Sequence, residues 1–292
     1  MIRQTDAFRL RLALPKGRMH DGVITLLHDA GIRVANTARG YRPSITLAGC
    51  EVKILKPQNI VEMLYAGSRD LGFAGADWVA ELDGRLVELV DTGLDPVRVV
   101  AAAPRTILDA DGGLPDRHLV VASEYERLTR RWIEQRGLDA TFVHSYGATE
   151  VFPPEDADLI VDNTATGSTL EANGLEVVDV LMQSSTRLYA NEAALDDPER
   201  REIIDRLVLL VRSVLEARKR VMVEVNVSAE RLPSLLEVLP CMRQPTISTL
   251  AGDEGFAVKA AVPRAELPDV IPKLTERGGT DVVVTRLDQI VP

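Results

Sequence analysis

Between Asp158 and Leu170 the chain reads Asp-Leu-Ile-Val-Asp-Asn-Thr-Ala-Thr-Gly-Ser-Thr-Leu. Three β-favouring residues, Leu159, Ile160 and Val161, pass an acid, Asp162, and enter a run of Thr, Ala, Gly and Ser. The helix-compatible Leu170-Glu171-Ala172 follows. A strand, a loop of small residues and a helix start, in that order, restrict the chain to α/β folds with crossover connections. Small residues let backbone N–H groups close on an anion, hydroxyls add donors, and the helix start adds positive dipole character. Asp162, at the C-terminal end of the strand, is placed to accept from sugar hydroxyls. An ordinary strand-to-helix turn can carry the same residues, so the rest of the chain has to decide.

The same alternation runs through the first two-thirds of the sequence. Residues 9–14 alternate as a half-buried strand and give way to Pro15-Lys16-Gly17-Arg18. A helix with Val23, Leu26, Leu27 and Ala30 on one face follows, stopped by Gly31. A strand at 52–55 precedes a helix opened by Pro57, with Ile60, Met63 and Leu64 inward and Gly67 as cap. Asp70 to Trp78 reads as a short buried strand ending in a glycine turn. Asp77 there could face a ligand or cap a helix starting at Trp78. Strands alternating with helices predict a mostly parallel sheet, with ligands at the strands' C-terminal ends. Lys16, Gly17, Arg18, Asp77 and the Thr-Gly loop all fall at such ends.

A second unit opens near Val97 with a long strand. Ser123 is expected to cap a helix with Tyr125, Leu128 and Trp132 inward, and strands follow at 141–143 and 175–181. The longest helix is expected at Pro198–Arg218. Two lobes with a cleft account for this order: 1–97 with 185–217 as one, 98–184 as the other. From 218 onward Val221, Val223, Val225 and Val227 alternate, and the order βαββαβ through 292 is the ferredoxin-like motif.

A net charge of −10 over 292 residues argues against nucleic acid as a partner. No apolar run approaches the ~20 residues of a membrane span, and Met1–Asp6 carries no secretory pattern. A cytoplasmic protein is therefore expected. Cys50 and Cys241 suit a reducing compartment, as small core residues rather than a disulfide. His20, His28, His118 and His144 show no metal-ligand spacing, and no hydrolase triad or elbow is present. Trp78 and Trp132 read as core.

Three separated segments carry a resemblance: Leu14 to Arg18, Leu71 to Trp78, and Asp162 to Leu170 with Glu171-Ala172-Asn173-Gly174-Leu175. Together they resemble the ATP phosphoribosyltransferases of histidine biosynthesis. The C-terminal unit, with Pro245-Thr246-Ile247-Ser248, looks like the regulatory domain of the long form. The resemblance implies a two-lobed core of the type II periplasmic-binding-protein kind, with adenine N1 of ATP attacking ribose C1 of phosphoribosyl pyrophosphate (PRPP). It also implies Mg²⁺ carried mainly by PRPP and pyrophosphate, hexamers built from dimers, feedback inhibition by histidine, and no separate regulatory subunit. By position, Ala165, Thr166, Gly167, Ser168 and Thr169 hold the 5′-phosphate, and Glu150 and Asp162 approach the ribose. Lys16, Gly17, Arg18 and Asp77 lie by pyrophosphate or ATP. Glu224, Thr246, Ser248 and Thr249 form the histidine site. Arg39, Tyr41 and Arg42 make a basic, aromatic loop to which no role is carried over. Two departures stand out: Thr249, where proline often follows the serine, and Asn163, where an apolar residue commonly follows the aspartate. A non-catalytic two-lobed binding or sensor protein is the rival reading.

Overall fold

The computed structural model describes residues 9–35 and 40–291; Arg39 lies outside them. The first lobe opens with β1 (Leu10–Pro15), α1 (Met19–Asp29), β2 (Val34–Ala35) and β3 (Ser44–Ile45). β4 (Cys50–Leu55), α2 (Pro57–Tyr65), β5 (Leu71–Gly75) and α3 (Ala76–Glu81) complete it, and β6 (Val87–Pro104) leads out. The second lobe holds β7 (Leu119–Ser123), α4 (Glu126–Arg136), β8 (Ala140–His144), β9 (Leu159–Thr164) and α5 (Ser168–Ala172). β10 (Leu175–Ala190) returns, followed by α6 (Glu192–Asp196) and α7 (Pro198–Arg218).

These strands form one eight-stranded sheet in the order β4-β1-β5-β10-β6-β9-β7-β8. Pairing is parallel within β4-β1-β5 and within β9-β7-β8, as the strand–helix alternation predicts. The middle departs from that expectation. β6 and β10 run antiparallel to each other along their whole length, and each serves both lobes. The β10 segment 186–190 pairs with β5, and the β6 segment 98–102 pairs with β9. Two long strands crossing between lobes give the core its two-lobed, periplasmic-binding-protein-like form.

Both crossings were hidden in the sequence. β6 begins ten residues before Val97 because Gly93 and Asp95, at φ 64° and 47°, kink the strand without ending it. β10 continues past Leu181, where the expected strand ended, through Ser184, Ser185 and Thr186, which are buried in the sheet. β7 has the same explanation in reverse: five residues between a turn and a helix left too short a pattern to read.

Local corrections follow from packing. On α2 the buried residues are Ile60, Val61 and Leu64, while Met63 faces outward. Ser123 ends β7 and accepts the Tyr125 N–H at 2.8 Å, two residues before the N-cap, Tyr125. The α4 N-terminus is capped instead from α3: the Glu81 carboxylate accepts from Arg127 N and Leu128 N, both at 2.9 Å. Burial pushes the Glu81 carboxyl up, and these two donors partly offset it.

The chain divides into two compact units, the second comprising Arg206 onward with Asp29–Gly31. In it β11 (Arg220–Val227), α8 (Leu232–Leu236), β12 (Thr246–Thr249), β13 (Phe256–Pro263), α9 (Leu267–Glu276) and β14 (Thr280–Arg286) follow in the βαββαβ order. The sheet order β12-β13-β11-β14, antiparallel throughout, is that of a ferredoxin-like domain. Val221, Val223, Val225 and Val227 are each at most 3% exposed, and the residues between them are not buried. Each buried valine is worth about 1.5–3 kcal/mol, so a one-residue slip of register is forbidden. Cys50 and Cys241 are both free, and among the described residues no helix is long and apolar enough to cross a membrane.

Candidate functional site

β9 delivers the loop Ala165–Gly167 at its C-terminal end, and α5 starts at Ser168. Gly167 sits at φ 90°, ψ −11°, a left-handed conformation that glycine adopts without strain. Its N–H donates to Thr164 Oγ1 at 3.0 Å, which closes the turn. A Cβ built on Gly167 would meet nothing within 4 Å, so the space over this backbone is open. Ala165, Thr166, Ser168 and Thr169 are exposed around it, with the Thr166 and Ser168 hydroxyls 3.0 Å apart. α5 has only five residues. Its dipole is correspondingly small, so an anion at this loop would meet chiefly the loop's hydroxyls and backbone donors.

One residue before Asn163, Asp162 is held on a half-buried strand end. Burial pushes its carboxyl up to about 6; the Asn163 N–H, donating at 2.7 Å, works against the rise, and the charges of Glu150 and Glu124 add to it. Three carboxylates therefore share the end of β9 nearest the loop. Glu124 was not legible as a site residue, because nothing near Ser123 and Tyr125 marks it apart from an ordinary helix-start acid.

A pocket of about 300 Å³ lies beside this strand end. Lys16 and Arg18, exposed on the turn after β1, line it together with Asp77, Asn163 and the hydroxyl run Ser184–Thr186. Gly17, between the two cations, makes the turn at φ 79°. Asp77 neither caps a helix at Trp78 nor projects into solvent. It sits inside the first turn of α3, 5% exposed. Its Oδ1 accepts from Ser184 Oγ at 2.7 Å and its Oδ2 from Tyr125 Oη at 2.6 Å. Tyr125 stacks on Trp78, with ring centroids 4.7 Å apart, so Trp78 is a platform as well as a core residue. Asp95, which also lines the pocket, is held at positive φ, and its carboxylate accepts from Thr186 Oγ1 at 3.0 Å.

A second pocket of about 450 Å³ shares Lys16 with the first. Arg42, Lys53, Lys56, Tyr41 and Asn59 complete its polar lining. Four cations around one cavity repel one another. The charge of Arg69 above all, with burial and Arg42, draws the Lys53 ammonium below its ordinary value. Such a cavity favours a polyanion. Tyr41 and Arg42, part of the basic, aromatic loop to which no role was carried over, thus line this cavity.

In the C-terminal unit the register places Thr246 opposite Lys259, and Lys259 opposite Glu224, on one face of the sheet. Ser248 shares that face, whereas Thr249 and Ile247 point to the other. All four residues of β12 are exposed. Glu224 already has a cation: Lys259 Nζ is 2.6 Å from its Oε1. Among the described residues no cluster of three or more His, Cys, Asp or Glu is arranged to hold a metal ion.

Residues 56–213 match the family model described as ATP phosphoribosyltransferase, and 217–289 match that of the HisG C-terminal domain. The chain belongs to the ATP phosphoribosyltransferase family. It carries the C-terminal domain of the family's long form. Among curated ATP phosphoribosyltransferases, that of Pelotomaculum thermopropionicum is 34% identical, over 97% of this chain and all of the relative. That of Solibacter usitatus is also 34% identical, over 97% and 99%. The solved ATP phosphoribosyl transferase (HisG:HisZ) complex from Thermotoga maritima aligns with a TM-score of 0.61 at 25% identity, covering 70% of this chain and 98% of that one.

Proposed function

We propose that the chain condenses ATP with PRPP to give N1-(5-phosphoribosyl)-ATP and pyrophosphate, the first step of histidine biosynthesis. The observation that carries this reading is the pairing of two sites at the end of β9. An open loop with its glycine at φ 90° adjoins a polar pocket lined by Lys16 and Arg18. In this reading Ala165–Thr169 hold the 5′-phosphate, while Glu150 and Asp162 accept from the ribose hydroxyls. The adenine enters the pocket beside Asp77, and Lys16, shared with the basic cavity, meets the triphosphate or the departing pyrophosphate.

Chemically, the N1–C1 bond forms as the C1–O bond to pyrophosphate breaks, and pyrophosphate leaves with the electron pair. Charge develops on the ribose as oxocarbenium character and on the leaving group as negative charge. The protein's part is to align two polyanions and neutralise that charge with placed cations. No nucleophilic side chain is needed. Mg²⁺ would neutralise phosphate charge. The scattered acids fit an ion that rides on PRPP and pyrophosphate, with Glu150 and Asp162 the nearest candidate carboxylates.

The domain limits we adopt are 1–97 with 185–217, 98–184, and 218–292. We assign histidine inhibition to the last of these, at Glu224, Thr246 and Ser248, with Thr249 acting from the opposite face. Regulation then needs no second chain of the kind named for the Thermotoga complex. Hexamers built from dimers and a cytoplasmic location complete the reading, with no nucleic acid or membrane as partner. The test is PRPP-dependent loss of ATP with pyrophosphate release, dependent on Mg²⁺ and inhibited by histidine. Turnover that persists in excess chelator would overturn the proposed charge neutralisation.

A further inference from the structure

Asp162 and Asn163 are neighbours on β9; a strand turns neighbouring side chains to opposite faces, and here Asn163 Nδ2 also lies 3.4 Å from Asp162 Oδ1 across the strand end. Asp162 faces the charges of Glu150 and Glu124. Asn163 lines the pocket with Lys16, Arg18 and Asp77. The end of one strand thus meets both proposed substrates, one on each side. That alone would make Asn163 a lining residue; its hydrogen bonds make it more.

Asn163 Nδ2 donates to Tyr125 Oη at 2.9 Å, and Tyr125 Oη donates to Asp77 Oδ2 at 2.6 Å. Asp77 is fixed in turn by the Ser184 hydroxyl, while its own N–H donates back to Ser184 Oγ at 3.0 Å. The direction of this relay follows from counting protons. Burial and the Asp77 charge keep the phenol protonated, with its pKa far above the ordinary value. Its single proton goes to the carboxylate, which can only accept, so Asn163 must turn its NH₂ towards the phenol. The carboxamide oxygen is left with no protein donor among the described residues, on a side chain that is only half-buried.

We infer that Asn163 is a positioning residue that couples the two substrate sites: through the Tyr125 hydroxyl it ties the strand carrying Asp162 and the phosphate loop to Asp77 on the other lobe. Filling either side of β9 then sets the geometry of the other. The inference rests on the substrate assignment above. Coupling of this kind is reciprocal, since each ligand must change the other's affinity by the same factor.

The experiment uses the full chain with PRPP, Mg²⁺ and 1-deaza-ATP, which lacks the attacking nitrogen and so cannot react. Calorimetry gives the affinity for 1-deaza-ATP with and without saturating PRPP, and the ratio is the coupling factor. The wild type should show a factor of at least about five, within the usual range for linked sites. Asn163→Leu should bring it within about twofold of unity while each ligand alone still binds. Tyr125→Phe keeps the ring on Trp78 and should do the same, and the double variant should add nothing further, as for two members of one relay. If Asn163→Leu does not fold, Tyr125→Phe makes the test alone. A wild-type factor of one, or variants that weaken both ligands with the factor intact, would overturn the coupling role. A wild type that binds neither ligand would instead overturn the substrate assignment.

Discussion

The glycine loop after β9 and strand β12 are both short, hydroxyl-rich runs, Thr164-Ala165-Thr166-Gly167-Ser168-Thr169 and Thr246-Ile247-Ser248-Thr249, yet the fold treats them differently. The first is wired from within. Thr164 closes the turn on a buried glycine at φ 90°, and a carboxyl raised to about 6 stands at its base. The second is an edge strand with every residue exposed and no side-chain hydrogen bond among the described residues. A hydroxyl run just past a strand's C-terminal end, before a positive-φ glycine, makes a site from one chain. The same residue types along a sheet edge present donors outward, where a ligand or a neighbouring chain must complete them.

Substituting each region separates these two modes. The largest effect belongs to Gly167→Val. A β-branched residue is strained at φ 90°, and its side chain fills the space left open over the loop. PRPP affinity should fall by more than about 100-fold, a loss of at least about 2.7 kcal/mol, with circular dichroism unchanged. Retained PRPP affinity by calorimetry would remove the loop from the site. Thr246→Lys comes next, placing a second cation beside Lys259 on the exposed face. Histidine inhibition should weaken by about tenfold or more, equivalent to about 1.4 kcal/mol, with kcat unaltered. An unchanged inhibition curve would move the effector site off β12.

Asp162→Asn should act in opposite senses on binding and on folding. The folded-state pKa is raised above the ordinary carboxyl value, so the ionised group opposes folding. That penalty is absent below about pH 4, grows as pH rises to about 6 and is complete above it. Asparagine removes it, and the variant should gain on the order of 1–3 kcal/mol at pH 7–8, read by denaturant unfolding. Wild-type PRPP affinity should decline as pH falls below about 6, and the variant should bind weakly with that dependence gone. A pH profile identical in both proteins would exclude Asp162 from ribose binding. Thr169→Ala removes one hydroxyl from a charged phosphate and should cost about 1–3 kcal/mol in PRPP affinity, less than Gly167→Val.

What could be read in advance divides along physical lines. The loop was legible because small residues, an acid and a strand end coincide within thirteen letters. The C-terminal domain was legible because Val221 to Val227 alternate without interruption. Asp77's role was not, since its partners Tyr125 and Ser184 are 48 and 107 residues away. Ser184–Thr186 lay beyond the expected strand for the same reason: Ser184 is buried through pairing with β6 and Thr186 through pairing with both β5 and β6, which local pattern does not encode. Asn163 stood out only as an oddity after the aspartate, and its partner, the Tyr125 hydroxyl, lies 38 residues away. Thr249 was grouped with Thr246 and Ser248 by composition, and strand alternation separates them.

The loop and the pocket at the end of β9 are proposed to serve one reaction. A single incubation of the full chain with ATP, PRPP and Mg²⁺, followed by mass spectrometry and a pyrophosphate assay, tests it directly. One pyrophosphate should be released for each ATP that gains a 5-phosphoribosyl group, with the new bond at adenine N1. Binding of both substrates with neither product formed would contradict it and leave a two-lobed binding protein in its place.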